Sequence, residues 1–224
     1  ATDVKELFDL GINNIGENRT NAFLEKYELL HDLDISWHFI GHLQSKKVKS
    51  VINKIDYLHS LDRMSLVEEI QKYRKLPLKC FIEVNIAEED SKYGLSVDEV
   101  VSFYQNLKNY DKIKVIGLMG MASLTDDEEI ISSQFKKLKD LKTKLNKDYD
   151  QDIEYLSMHR MPIVLNFSDC LISEANEVLM FLTGVLYACD GEIVKIQDKI
   201  YLMAQKSDLL GPTLNKFIND YRKK

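Results

Sequence analysis

Three histidines, His38, His42 and His59, fall at or near the ends of strand-like segments, where an imidazole could serve as a general base or a phosphate ligand. No carboxylate or cysteine stands at a metal-ligand spacing from them, so the sequence favours structural histidines. Glu17 precedes Asn18 and reads either as a carboxylate supporting a binding residue or as a solvated surface group. The lysine-rich run from Lys136 to Lys147 carries Phe135, Leu138, Leu141 and Leu145 at helical spacing, which is a core-facing helix with a wet side and not an anion site. Cys80, Cys170 and Cys189 lie far apart in apolar settings, as buried thiols do in a reducing cytoplasm. Types and spacing alone yield no catalytic residue and no metal site.

The segments that position these residues alternate between two periods. Strand-like runs at Ile12–Gly16, Ile35–Ile40, Asp56–Leu61, Leu78–Ile86, Ile113–Met119 and Ile153–Met158 are separated by amphipathic helices. The first helix, capped by Thr2 or Asp3, turns Val4, Leu7 and Phe8 inward and stops at Gly11; the second starts at Thr20. Ser65 with Glu68, Ser96 with Glu99, and Thr125 with Glu128 fit the capping-box spacing. Strands and helices in this order predict a parallel sheet with six of the eight strands that close a (β/α) barrel. After Met158 the pattern changes: a strand at Met161–Ser168, an apolar helix from Ser173 to about Ala188, then Glu192–Ile196 and Lys199–Met203 as a tight hairpin. Gly211-Pro212 opens a last helix with cations at its end. The expected fold is therefore α/β, an incomplete barrel over residues 1–158 followed by a small α+β segment over 161–224.

Composition sets the outer limits. The chain has 224 residues, 45% hydrophobic and 29% charged, with a net charge of −6 that argues against a general nucleic-acid binder. No apolar run reaches the ~18 residues of a membrane span, and no signal peptide opens the chain.

Several segments resemble the pyridoxal phosphate homeostasis family, relatives of the alanine racemase N-terminal barrel. They are Gly16-Glu-Asn-Arg19, Trp37-His-Phe-Ile-Gly-His-Leu-Gln-Ser-Lys-Lys-Val48, Leu58-His-Ser-Leu-Asp62, Glu83-Val-Asn85, Ser91-Lys-Tyr-Gly94, Gly117-Leu-Met119 and Leu156-Ser-Met158. The resemblance implies a non-catalytic pyridoxal phosphate binder, with Asn18 and Ser157 as cofactor contacts. It also implies a Schiff-base lysine on a strand that would precede Ala1, so the chain is expected to lack it; Lys5 is expected on the surface. The phosphate-binding stretch that follows Leu-Ser-Met in the family is replaced here by His159-Arg160-Met161-Pro162.

A second resemblance covers the tail. Ile163-Val-Leu-Asn166, Phe181-Leu-Thr-Gly-Val-Leu-Tyr-Ala-Cys-Asp-Gly191 and Lys199-Ile-Tyr-Leu202 resemble the core of the cell-division protein SepF. That implies a homodimer packed at Gly184, contact with FtsZ at Tyr201, and a cytoplasmic place at the septum, without a membrane anchor. The expected function is thus a fusion of a weakened cofactor-holding barrel with a division segment; the alternative is a non-functional product of a deletion joining two neighbouring genes. A barrel short of strands is further expected to leave both sheet edges bare and to self-associate.

Overall fold

A computed structural model of the chain describes residues 2–9, 11–89, 91–125, 127–149, 154–155, 163–166, 191–197, 199–205, 209 and 218. The chain opens on α1 (Thr2–Asp9), which buries Val4 and is followed by Gly11 at φ +87°, a left-handed turn that suits glycine. Then come β1 (Asn14–Glu17), α2 (Thr20–Leu30) and β2 (Ser36–Phe39). A 3-10 turn at Ser45–Lys47 leads into the short α3 (Val48–Val51), an element the periodicity did not predict. Strands and helices alternate from there: β3 (Tyr57–Leu61), α4 (Met64–Tyr73), β4 (Leu78–Val84), α5 (Glu99–Leu107), β5 (Ile113–Gly120), α6 (Glu128–Tyr149) and β6 (Glu154–Tyr155). Each strand from β1 to β6 pairs in parallel with the next, the order of staves in a (β/α) barrel.

Period two along the strands sends one set of side chains to the helices. Ile15, Trp37, Phe39, Leu58, Ile82 and Val84 meet the apolar stripes of the helices in one buried core. Phe23 of α2 is the hub, edge-on to Trp37 (5.4 Å between centroids, 81°) and to Phe39 (6.3 Å, 88°). Each fully buried side chain of this kind stabilises the fold by about 1.5–3 kcal/mol. The lysine-rich α6 behaves as its spacing predicts, with Leu138, Leu141 and Leu145 buried and its lysines outward.

Two of the three capping boxes are corrected. At α5 Glu99 accepts from the Ser96 N–H (2.9 Å) and hydroxyl (2.6 Å), the glutamate half of the predicted box, although the helix itself starts at Glu99 with Asp98 before it. At α4 the residue before the helix is Arg63 in extended backbone, without a side-chain cap, so Ser65 lies inside the helix. At α6 the Asp127 carboxylate takes the N–H groups of Glu129 (2.9 Å) and Ile130 (3.2 Å), leaving Thr125 outside. A carboxylate at that place also meets the positive end of the helix.

The bare-edge expectation is corrected at one edge: β1 gains a neighbour, while β6 stays at the end of the sheet with β5 as its one strand partner among the described residues. β7 (Ile163–Asn166) adds in parallel to the outer edge of β1, with Val164 opposite Ile15. It pairs antiparallel with β9 (Ile200–Gln205), which pairs antiparallel with β8 (Gly191–Gln197); the sheet order is β6-β5-β4-β3-β2-β1-β7-β9-β8. The β8–β9 hairpin is the predicted one, with Lys199 in the left-handed turn at φ +57°. Residues 156–162 link β6 to β7, and so short a link reaches about 29 Å at most. A flat sheet would already be about 29 Å wide over the same six strand spacings, before the chain returns along its length. The sheet is therefore curled, as in a barrel, and β7 lies not beside β6 but beside β1. A second apolar cluster, Ile196, Ile200, Leu202, Ala204, Leu209 and Ile218, also buries Ile12 and so ties the tail to the entrance of β1.

Candidate functional site

Parallel strands bring their C-terminal ends to one rim, the usual place for ligands in this architecture. Here the rim carries Glu17 and Asn18 after β1, Gly41 and His42 after β2, Asp62 and Arg63 after β3, and Glu83 near the end of β4. Glu17 is 4% exposed, which overturns the solvated reading. One of its oxygens accepts the N–H groups of Asn18 (2.9 Å) and Arg19 (3.3 Å), and the other pairs with Lys26. The buried charge is thereby neutralised and the loop after β1 is fixed.

The loop after β2 is held against it. A Cβ on Gly41 would lie 2.1 Å from the Asn18 carbonyl oxygen, so only glycine permits this approach. The Ser60 hydroxyl donates to the Gly41 carbonyl (2.6 Å), and Arg63 donates to the Leu43 carbonyl (2.6 Å) and to Asp62. Between the two loops opens a pocket of about 500 Å³ lined by Asn18, Arg19, Asn21, His42, Gln44 and Lys47, among others. Eight of its nine lining residues are polar or charged, Ala22 being the exception, while their aliphatic parts add apolar surface.

Two buried polar atoms beside this region have no hydrogen-bond partner among the described residues: His42 Nδ1 and Glu83 Oε2. The His42 ring stacks on Tyr93 (4.1 Å), and its Nδ1 stands 3.5 Å from Asp62. Burial holds His42 below the usual imidazole range, against the pull of Asp62. Burial, and then the Asp62 charge, push Glu83 up to about 8, so it keeps its proton at neutral pH.

The other two histidines are structural, as their spacing predicts. His38 Nδ1 meets His59 Nε2 at 3.0 Å, and His38 Nε2 meets Asn14 Oδ1 at 3.1 Å. The Asn14 amide donates to Asn13 (3.0 Å), which turns its oxygen toward His38. His38 Nε2–H therefore donates to Asn14, and His59 Nε2–H donates to His38. The rings lie on Tyr57 (4.2 Å) and Phe81 (4.6 Å). Burial holds both imidazoles neutral, His38 down to about 4 and His59 well below its ordinary value.

Of the expected site residues, Asn18 is on the rim and in the pocket wall. Tyr201 is half-buried on β9, opposite Leu165 and Lys195. Ser157 and Gly184 lie outside the described residues. Lys5 is exposed on α1, as expected, and Cys80 is buried. Glu83 was missed; its signal is an acid inside the apolar run Cys80-Phe-Ile-Glu-Val84, a place where a charge cannot stay. Among the described residues no metal-ligating group of three comes together. The rim offers hydrogen-bond donors, acceptors and a neutral acid, which suits holding a small polar ligand.

The family model for the alanine racemase N-terminal domain matches residues 10–178, running past the expected boundary near 158. The pyridoxal phosphate homeostasis protein of Aquifex aeolicus is 37% identical over 158 residues, 69% of each chain. That of Pasteurella multocida is 32% identical over 162 residues, 70% of each. PipY of Synechococcus elongatus shares the fold, with a TM-score of 0.63 at 24% identity over 68% of this chain and 74% of that one. These relatives are named for homeostasis of a cofactor and not for a reaction, in agreement with the expectation of a chain that is no enzyme. The matched residues span more than half of the chain and include every strand of the curled parallel sheet from β1 to β7, so this chain belongs to the pyridoxal phosphate homeostasis family.

Proposed function

We propose that this chain holds pyridoxal phosphate at the strand-end rim and catalyses nothing with it. The observation that carries the reading is the rim itself: Asn18 in the wall of a polar pocket, beside two buried polar atoms, His42 Nδ1 and Glu83 Oε2, that have no partner among the described residues. A substituted pyridine with ring nitrogen, hydroxyl and carbonyl offers partners of both kinds to such atoms, so the residues present fit the group. PipY, which has the same fold, has been solved with pyridoxal phosphate bound. When bound, the group supplies an electrophilic aldehyde; the chain's own part is to hold it away from other amines. Among the described residues Lys26 and Lys92 are largely buried lysines near the rim, and both are committed, Lys26 to Glu17 and Lys92 to the Ala122 carbonyl and Glu89. On this reading the described residues hold the cofactor non-covalently. Fluorescence titration with pyridoxal phosphate should give saturable binding that Asn18→Ala weakens about tenfold, the worth of one good hydrogen bond. A flat titration to millimolar concentration would sink the reading.

We propose a second role for the tail from residue 161, that of a SepF-like division segment in the cytoplasm that dimerises around Gly184 and meets FtsZ through Tyr201. Its support is the antiparallel β7–β9–β8 unit with its own apolar cluster. Ile200, Leu202 and Ala204 enter that cluster, so period two puts Tyr201 on the opposite face, away from it. Co-sedimentation with FtsZ polymers should fall with Tyr201→Ala, and light scattering should show a dimer that Gly184→Lys weakens. A monomer that ignores FtsZ would remove this role. Failure of both roles would leave the alternative of a product with neither function.

A further inference from the structure

We infer that the Tyr93 ring is a gate on the ligand site: it closes off the buried nitrogen of His42 and must swing aside before a ligand reaches it. The inference rests on the proposed cofactor reading and adds what that reading leaves open, namely what controls entry. Tyr93 comes from the loop after β4, yet its ring lies on the His42 imidazole of the loop after β2, with 4.1 Å between centroids and 20° between planes. The stack therefore bridges over the end of β3, which carries Asp62 and Arg63. The His42 side chain is 26% exposed, but its Nδ1 is buried and makes no hydrogen bond among the described residues. Asp62 stands 3.5 Å from that nitrogen at the ring edge, and Tyr93 covers a ring face.

Of these two neighbours one is fixed and one is free. Asp62 is fixed: its side chain is 8% exposed, its other oxygen pairs with Arg63, and Arg63 donates to the Leu43 carbonyl (2.6 Å). Tyr93 is free: it is 57% exposed, and among the described residues no hydrogen bond or ion pair holds it beyond the stack. The backbone on either side of it is pinned. Lys92 donates to the Ala122 carbonyl (2.6 Å), the Leu95 N–H to the Glu83 carbonyl (2.9 Å), and the Asn85 N–H to the Leu95 carbonyl (2.8 Å). Gly94 turns at φ +107°, where a Cβ would lie 2.7 Å from the Asn85 nitrogen. The base of the loop thus stays in place, and rotation of the Tyr93 side chain alone uncovers His42. An aromatic stack favours the closed ring by about two- to tenfold. Only the open fraction takes ligand, so the stack lowers the apparent affinity by a similar factor.

Two measurements on the whole chain test this. In the first, imidazole NMR follows His42 without ligand. Tyr93→Ala should shift the His42 resonances and raise its titration point toward the ordinary imidazole range, because water then reaches the ring beside Asp62 and Arg63. Tyr93→Phe, which keeps the ring, should match the unaltered protein. In the second, stopped-flow mixing with pyridoxal phosphate should show Tyr93→Ala binding about two- to tenfold faster and tighter, and Tyr93→Phe unchanged. His42 resonances that ignore Tyr93→Ala would overturn the inference. Weaker or unchanged pyridoxal phosphate binding by Tyr93→Ala would overturn it too, making the ring a contact or a bystander while the cofactor reading stood. If no variant binds pyridoxal phosphate and His42 still responds to loss of the ring, the cofactor reading falls and the gate over His42 stands.

Discussion

The two faces of the sheet obey different rules. Toward the helices the strands send Ile15, Trp37, Phe39, Leu58, Ile82 and Val84 into a continuous apolar core. Toward the other side the same strands send Asn14, His38, His59, Phe81 and Glu83. Both faces are largely dry, so the second face can keep titratable groups only in their neutral states. Its two imidazoles lack their extra proton and its carboxyl keeps one. Stability comes mainly from the helix side, while polar recognition and pH dependence belong to the other.

The sharpest break in that contrast is on the helix side. Phe23→Ala should cost about 3–5 kcal/mol in denaturant unfolding, since Phe23 is fully buried among Trp37, Phe39 and Tyr27. A loss below about 1 kcal/mol would mean that the site collapses around the deletion and that the core is not close-packed there.

Next comes Glu83, whose folded carboxyl keeps its proton up to about pH 8 against an ordinary value of 4.5. Between those values the folded state binds more protons than the unfolded one, so stability falls as pH rises, by up to about 1.4 kcal/mol per unit. Glu83→Gln keeps the shape and removes the slope, and should be the more stable protein at pH 8. Unfolding curves that fall equally for both proteins would show that Glu83 is not held neutral.

His38 gives the opposite slope over a shorter window. Its folded value is about 4 against 6.5, so the unfolded state binds the proton first and stability is lost as pH falls from 6.5 toward 4. His38→Asn should flatten that acid limb. An unchanged limb would assign the acid loss elsewhere.

The smallest effects are at the helix starts. Asp127→Ala should cost about 1 kcal/mol and Ser65→Ala less than about 0.5 kcal/mol, read as a difference in thermal midpoint. The reverse order would restore the capping box that the structure denies.

Much of the helix face was legible, because periodicity reports local burial. The six parallel strands, the lysine-rich α6 and the β8–β9 hairpin all lie within a few residues of their predicted places. The pairing of β7 with β1 was not legible: the sequence shows that a short link forbids a crossover beside β6, but not which edge a curled sheet will offer. At the site, Asn18 was placed by resemblance and the histidines by the lack of ligand partners. Glu83 needed three dimensions, since its proton is held by burial and by Asp62, twenty-one residues away in sequence. Ser65 failed because a capping pattern says nothing of where the preceding backbone turns extended, and here that happens at Arg63.

The measurement that bears most directly on the cofactor reading is mass spectrometry of the chain after equilibrium dialysis against pyridoxal phosphate, under native conditions and after borohydride reduction and denaturation. One cofactor per chain should be retained in the native spectrum, and the denatured chain should carry no added mass. A native spectrum without the cofactor, or a denatured chain bearing it covalently, would contradict the account.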